Sequence, residues 1–290
     1  MMDLRILVVI AGALLASPAA AANAGNEPVA MVTDIKGTTT VTETGKPKPL
    51  TLLYYLTPGA ELHLATGGTV VITYFTKPME FTLAGPAEVT ISADGPRVTK
   101  GNKAGVRTLD NRRADAVKKI EAVQRERMTF ATVQMRSVKP RLEAAVPANT
   151  NVLSTTPEFS WTELPGITQY RFVLMDSSGT ALYERSLDGT MLRLPKANAL
   201  KYGSAYGWRV EAEIPPGPTV SATAIFNVID AARAKSIAAA RPKPGAPFSE
   251  RLIFAARLES EGLGGEARQA WAELARERPD NETLRDRAGR

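Results

Sequence analysis

Few residues in this chain are equipped for covalent or metal chemistry. There is one histidine, His63, and no cysteine among 290 residues. The missing thiol excludes disulfides, thiol nucleophiles, Cys-ligated zinc, iron–sulfur clusters and a lipidated N-terminal cysteine. A single imidazole excludes paired-histidine metal sites of the H-E-x-x-H kind. The serine elbow G-x-S-x-G is also missing, because Gly203-Ser204-Ala205-Tyr206-Gly207 carries its serine one position early. Gly262-Leu263-Gly264-Gly265 lacks a preceding strand and a following Lys-Ser/Thr, so it reads as a turn between helices rather than a phosphate loop. Glycan chemistry would need two carboxylates brought together in a cleft, and no spacing identifies such a pair. The sequence therefore assigns no catalytic, cofactor-binding or metal-ligating residue, and no cofactor is expected.

Charged and aromatic side chains remain as the means of contact. Residues 97–141 carry 13 basic and 4 acidic side chains, whereas 25–96 carry 4 and 7, 142–230 carry 6 and 9, and 231–290 carry 12 and 9. The formal net charge of +6 is thus concentrated in one segment. Arg112, Arg113, Lys118, Lys119 and Arg125 are the candidate contacts to an anionic surface. Phe130 is the only aromatic near them, so base stacking is not supported and no nucleic-acid partner is expected. Tyr183 and Tyr202 are candidate exposed aromatic contacts. Trp161, Tyr206 and Trp208 sit at strand spacing among aliphatic neighbours, which predicts core packing rather than a ligand platform.

The elements that position these residues follow from periodicity. Residues 1–24 read as a signal peptide: a short n-region, the apolar run Ile6–Ala16, and a small-residue stretch ending Ala22-Asn23-Ala24. Eleven apolar residues span about 16 Å as a helix, short of the ~30 Å hydrocarbon core. An exported chain without a transmembrane span after cleavage is expected. From 25 to 100, short β-prone runs separated by Gly and Pro predict a small β domain. Leu62 and Leu64, and Val70, Ile72 and Tyr74, alternate as core-facing positions, which leaves His63 on the opposite, solvent side. Between 101 and 146 the period lengthens: Leu109, Ala116, Val117, Ile120 and Val123 predict an amphipathic linker helix capped by Asp110 or Asn111 and extended or followed by Phe130, Val133 and Met135.

Residues 147–230 return to strands. Phe159 and Trp161, then Tyr170, Phe172 and Leu174, lead to an alternating Tyr206, Trp208, Val210 and Ala212 after a Leu/Gly corner. From 231 to 290 an Ala-rich helix, the Pro-rich connector Arg241–Pro247, and a helix pair capped at Ser249 and ended by Pro279 are expected. The fold class is mainly β with helical segments.

Three resemblances attach to these patterns. Gly59, Leu62, Ala65, Thr69, Val71 and Ile72, followed by F-T-L-A-G-P-A-E-V-T-I, resemble the FecR-type periplasmic domain. The strand pattern of 147–230 is similar to a fibronectin type III or related Ig-like sandwich. Ala255, Ala256, Leu258, Gly262, Glu266, Ala267, Trp271, Leu274, Pro279 and Asp280 are similar to one tetratricopeptide-like helix pair. One such pair cannot bury both faces, so it must dock on a β domain, meet another copy or await a partner. The resemblances imply a soluble periplasmic protein that works without turnover, an interaction or scaffold protein of the cell envelope. Its partner would be an envelope protein or an anionic surface. A FecR-type cell-surface signalling regulator or sensor is the alternative, and a carboxylate-based glycan enzyme the second alternative.

Overall fold

The computed structural model describes residues 27–77, 79–127, 142–213 and 217–289. Segment 1–24 and Phe130, Val133 and Met135 lie outside them. The first strands are β1 (Ala30–Lys36), β2 (Thr39–Thr42), β3 (Lys48–Pro49), β4 (Tyr55–Leu56), β5 (Glu61–Leu64), β6 (Thr69–Tyr74), β7 (Met79–Ala84), β8 (Ala87–Ser92), β9 (Gly95–Lys100) and β10 (Gly105–Thr108). They form two five-stranded sheets, ordered β10-β7-β6-β1-β4 and β3-β2-β5-β8-β9, with antiparallel pairing throughout. Leu62, Leu64, Val70, Ile72, Tyr74, Val89 and Ile91 fill the space between them, as strand alternation dictates. His63 points outward, across from Thr40 and Glu88. Gly85 is required where the two sheets are tied, because a Cβ there would stand 2.0 Å from the Ala65 carbonyl oxygen. β10 falls within the stretch read as linker, and its pairing with β7 extends the first sandwich past residue 100.

The helix that follows, α1 (Asn111–Arg127), starts at Asp110, whose carboxylate accepts the Arg113 N–H at 3.0 Å. This is the cap that an acceptor before the first turn provides.

The second sandwich contains β11 (Ala144–Val146), β12 (Thr150–Val152), β13 (Glu158–Trp161), β14 (Gln169–Asp176), β15 (Ala181–Asp188), β16 (Met191–Arg193), β17 (Ala205–Glu213) and β18 (Thr219–Val228). A three-stranded sheet, β11-β13-β16, faces a five-stranded one, β12-β18-β17-β14-β15. Every pairing is antiparallel except β12 with β18. The order is that of an Ig-like sandwich, with a first strand divided between the two sheets. Phe159, Trp161, Phe172, Trp208 and Phe226 form its centre, with neighbouring ring centroids 4.8 to 6.2 Å apart. Trp208 donates to the Pro147 carbonyl at 2.7 Å. The Tyr206 hydroxyl accepts the Lys201 N–H at 2.9 Å, the corner that fixes entry into β17.

Four further helices follow: α2 (Ala231–Ala240), α3 (Phe248–Ser260), α4 (Gly264–Glu277) and α5 (Glu282–Ala288). The expected hairpin is α3–α4, but α5 adds to it, so the tail is more than one helix pair. Pro247 rather than Ser249 flanks α3, and Ser249 is buried inside its first turn. Ala116, Val117 and Ile120 of α1 pack with Ile237, Leu252, Ala255, Leu258 and Trp271 in one apolar cluster. Met31, Leu52 and Phe75 of the first sandwich join it, as does Ile229 at the end of the second. Of the three fates open to a lone helix pair, this chain takes docking on a β domain. Among the described residues no helix is long and apolar enough to cross a membrane.

Candidate functional site

The cations singled out in the sequence divide into two groups. Arg113 and Lys119 each pair with a buried carboxylate. Arg113 reaches Glu250 of α3 at 2.5 Å and Asp110 at 3.3 Å. Glu250 also receives Arg107 of β10 at 2.6 Å, and Arg107 holds Glu80 of β7 at 2.7 Å. Burial works against the Arg107 charge, but the two carboxylates more than offset it and raise its pKa. Lys119 bonds Glu261, which Arg233 of α2 holds from the other side at 2.5 Å. Burial pushes the Glu261 carboxyl up, whereas hydrogen bonds from Lys119 and Arg233 pull it further down, so the net shift is downward. Both acceptors are nearly sequestered, Glu250 and Glu261 each being 6% exposed. A carboxylate at that depth is retained only when paired.

Lys118 remains exposed on the outer side of α1. The side chains of Arg112 and Arg125 lie outside the described residues. The basic segment is thus partly consumed by the acidic residues of the tail, 137 and 142 positions away in sequence.

The helical layer also grips each sandwich directly. Arg278, just past the end of α4, meets Asp34 at 2.6 Å and the Ile35 carbonyl at 3.1 Å, with its guanidinium 3.6 Å from the Phe248 ring centroid. On the second sandwich the contact is made by hydrogen bonds between β12 and a turn at the end of α3. α3 ends with Gly262 at φ +72°, where the Gly262 N–H bonds the Glu259 carbonyl and the Leu263 N–H bonds that of Leu258. This double bond pattern with a left-handed glycine closes the helix. The turn so formed lies on β12. Asn151 N–H donates to the Gly262 carbonyl at 2.9 Å, Thr150 Oγ1 donates to the same carbonyl at 2.7 Å, and Asn151 Nδ2 reaches the Glu261 carbonyl at 2.8 Å. Thr150 Oγ1 also lies 3.0 Å from the Gly264 N–H, and the Leu153 N–H donates to Glu266 of α4 at 2.9 Å.

Of the two tyrosines, Tyr202 is 48% exposed. Tyr183 is half-buried, its ring 6.4 Å from that of Phe172 and packed on the sandwich core. Among the described residues, no contact joins Tyr183 or Tyr202 to Arg113, Lys118 or Lys119. A cleft of about 430 Å³ beside the α2–α3 connector contains Asp110 and Glu250, and both are ion-paired to Arg113. Among the described residues no group of three or more His, Asp or Glu is placed to hold a metal ion.

Glu80, Arg107, Glu250, Glu261 and the Thr150–Asn151 pair carry no local sequence signal. Nothing in their spacing identifies partners more than 100 positions apart. No family model matches this chain, and no curated protein matches it. Among solved structures it is similar to CopC from Methylosinus trichosporium OB3b, at 16% identity and a TM-score of 0.24, over 31% of this chain and 96% of that one.

Proposed function

We propose that this chain is a non-enzymatic, exported scaffold or interaction protein of the cell envelope, built on a FecR-like and an Ig-like module. One observation carries the reading: the basic helix and the tail form a shared layer that is ion-paired to one sandwich and hydrogen-bonded to the other. Such a layer spends its charged and polar groups on holding two binding modules in register. The FecR-type resemblance and the signal-like N-terminus support a periplasmic location. With Arg113 and Lys119 held by carboxylates, Lys118 is what the described part of α1 offers to an anionic surface. The reading therefore leans toward a protein partner.

Fractionation with in-cell crosslinking tests it. The expected outcome is soluble periplasmic protein crosslinked to a defined set of envelope proteins. Retention with the inner membrane after high-salt washing, or the absence of any specific crosslink, would contradict it.

A further inference from the structure

The five-stranded sheet of the second sandwich ends in two unlike edges. β15 presents Glu184, Arg185 and Asp188, and charge of this kind blunts an edge against stray pairing. At the other end β18 pairs with β17 over its whole length, from Glu213↔Thr219 to Ala205↔Asn227. Among the described residues its second side is paired as a strand only at Phe226–Val228, by the three residues of β12. The Asn149 N–H adds one bond to the Ile225 carbonyl at 2.8 Å.

The Val228 N–H bonds Ser204 on the β17 side and the Val228 carbonyl accepts from Gly203, so even-numbered residues of β18 turn their backbone toward β17. Odd-numbered residues turn it outward. The N–H and C=O of Ser221 and Thr223 therefore face no strand among the described residues. The open half reads Ser221-Ala222-Thr223-Ala224, without charge or proline.

Beside this edge lies an opening of about 680 Å³. β11 stands across from it in the opposing sheet, where it pairs with β13. Leu142, Ala144 and Leu164 line one wall, and Val220, Ala222 and Ala224 the other. Small side chains on the β18 wall leave room between the sheets. Ile225, 63% exposed, adds an apolar contact on the outer face next to the edge.

We propose that the open half of β18 accepts an extended segment of a partner protein as an added strand. Outward backbone groups at every second residue match an extended chain, and the slot takes its alternate apolar side chains. The sandwich carries nine acidic and six basic residues in 142–230, with Glu213 opposite Thr219. The fitting segment is therefore free of acidic residues and flanked by lysine or arginine. The proposal deepens the scaffold reading and rests on it, naming the surface and the chemistry of the partner.

The test uses the full chain and, as probe, a fluorescent peptide of alternating valine and threonine with a lysine pair at each end. Saturable binding is expected, with amide exchange at Ser221 and Thr223 slowed about tenfold or more and β15 unaffected. Thr223→Pro removes an outward donor without taking a bond from β17, and should weaken binding about tenfold at an unchanged unfolding midpoint. Absence of binding, binding indifferent to Thr223→Pro, or protection elsewhere would overturn the proposal. Should that variant misfold, the exchange pattern of the unmutated chain decides alone. Concentration-dependent self-association that protects the same two amides would assign the edge to a second copy instead. Specific envelope crosslinks without probe binding would sink this site and leave the scaffold reading standing. Probe binding with the expected protection but no envelope crosslinks would do the reverse.

Discussion

The two sandwiches meet the same helical layer by different physics. The first shares an apolar core with it, through Met31, Leu52 and Phe75 against α1 and α3, sealed by the Glu80–Arg107–Glu250–Arg113 chain, whose two carboxylates are buried. The second touches it mainly by hydrogen bonds between β12 and the Gly262 turn, with Ile229 as its buried apolar contribution. Apolar burial is worth roughly 25 cal/mol per Å², and a hydrogen bond about 1 kcal/mol net. The first sandwich and the helices should therefore unfold as one unit, with the second attached by a weaker but orientation-specific joint.

The largest test of this contrast is Trp271→Ala. Trp271 is buried at the centre of the shared cluster and donates to Glu259 at 3.2 Å. Its truncation should cost about 3–5 kcal/mol. Amide exchange should accelerate through the helices and the first sandwich while β14 and β17 keep their protection. Equal loss in both sandwiches would erase the distinction.

Glu250→Ala is next. It leaves Arg107 with Glu80 alone and Arg113 with Asp110 alone, cations that are 40% and 32% exposed at their side chains. Breaking a fully buried pair costs several kcal/mol, and partial exposure of both cations reduces the expected loss in a denaturant titration to about 2 kcal/mol. A loss near zero would mean that the apolar cluster alone holds the joint.

Glu261 supplies a pH test. Its pKa is lowered in the folded chain from the ordinary 4.5, so its pairing stabilises fully above that value and is lost as pH falls through the folded pKa. Glu261→Gln should lower stability at neutral pH and flatten the acid limb of a stability–pH curve. An unchanged acid limb would show that other carboxylates govern it.

The smallest expected effect is at the second joint. Gly262→Ala forces an alanine to φ +72° and places its Cβ 3.0 Å from Asn151 Nδ2, for a cost of about 1–2 kcal/mol. Exchange should rise at Asn151 and Leu153 and stay unchanged at β1.

Local periodicity carried much of this fold. Leu62, Leu64 and Val70 face inward as alternation requires, and the Ala-rich run became α2 at Ala231–Ala240. Mainly β architecture with helical segments was legible for the same reason: strand and helix periods are written within a few residues. What lay beyond reach was which charges meet. Arg107 and Glu250 are 143 positions apart, and only the docking of α3 on the first sandwich joins them. A basic face on α1 was visible, whereas the carboxylates that consume Arg113 and Lys119 were not. The half of β18 that pairs with no strand among the described residues was equally hidden, because it arises from β12 pairing over three residues, a property of register rather than of composition.

One helical layer packs on the first sandwich and hydrogen-bonds to the second, and so should hold the two in a fixed relation. The chain has no native cysteine, so spin labels placed through His63→Cys and Lys196→Cys, both at exposed positions on separate sandwiches, report their separation without interference. Pulsed dipolar spectroscopy should give a single narrow distance distribution. A broad or multimodal one would show two independently moving modules and contradict the account.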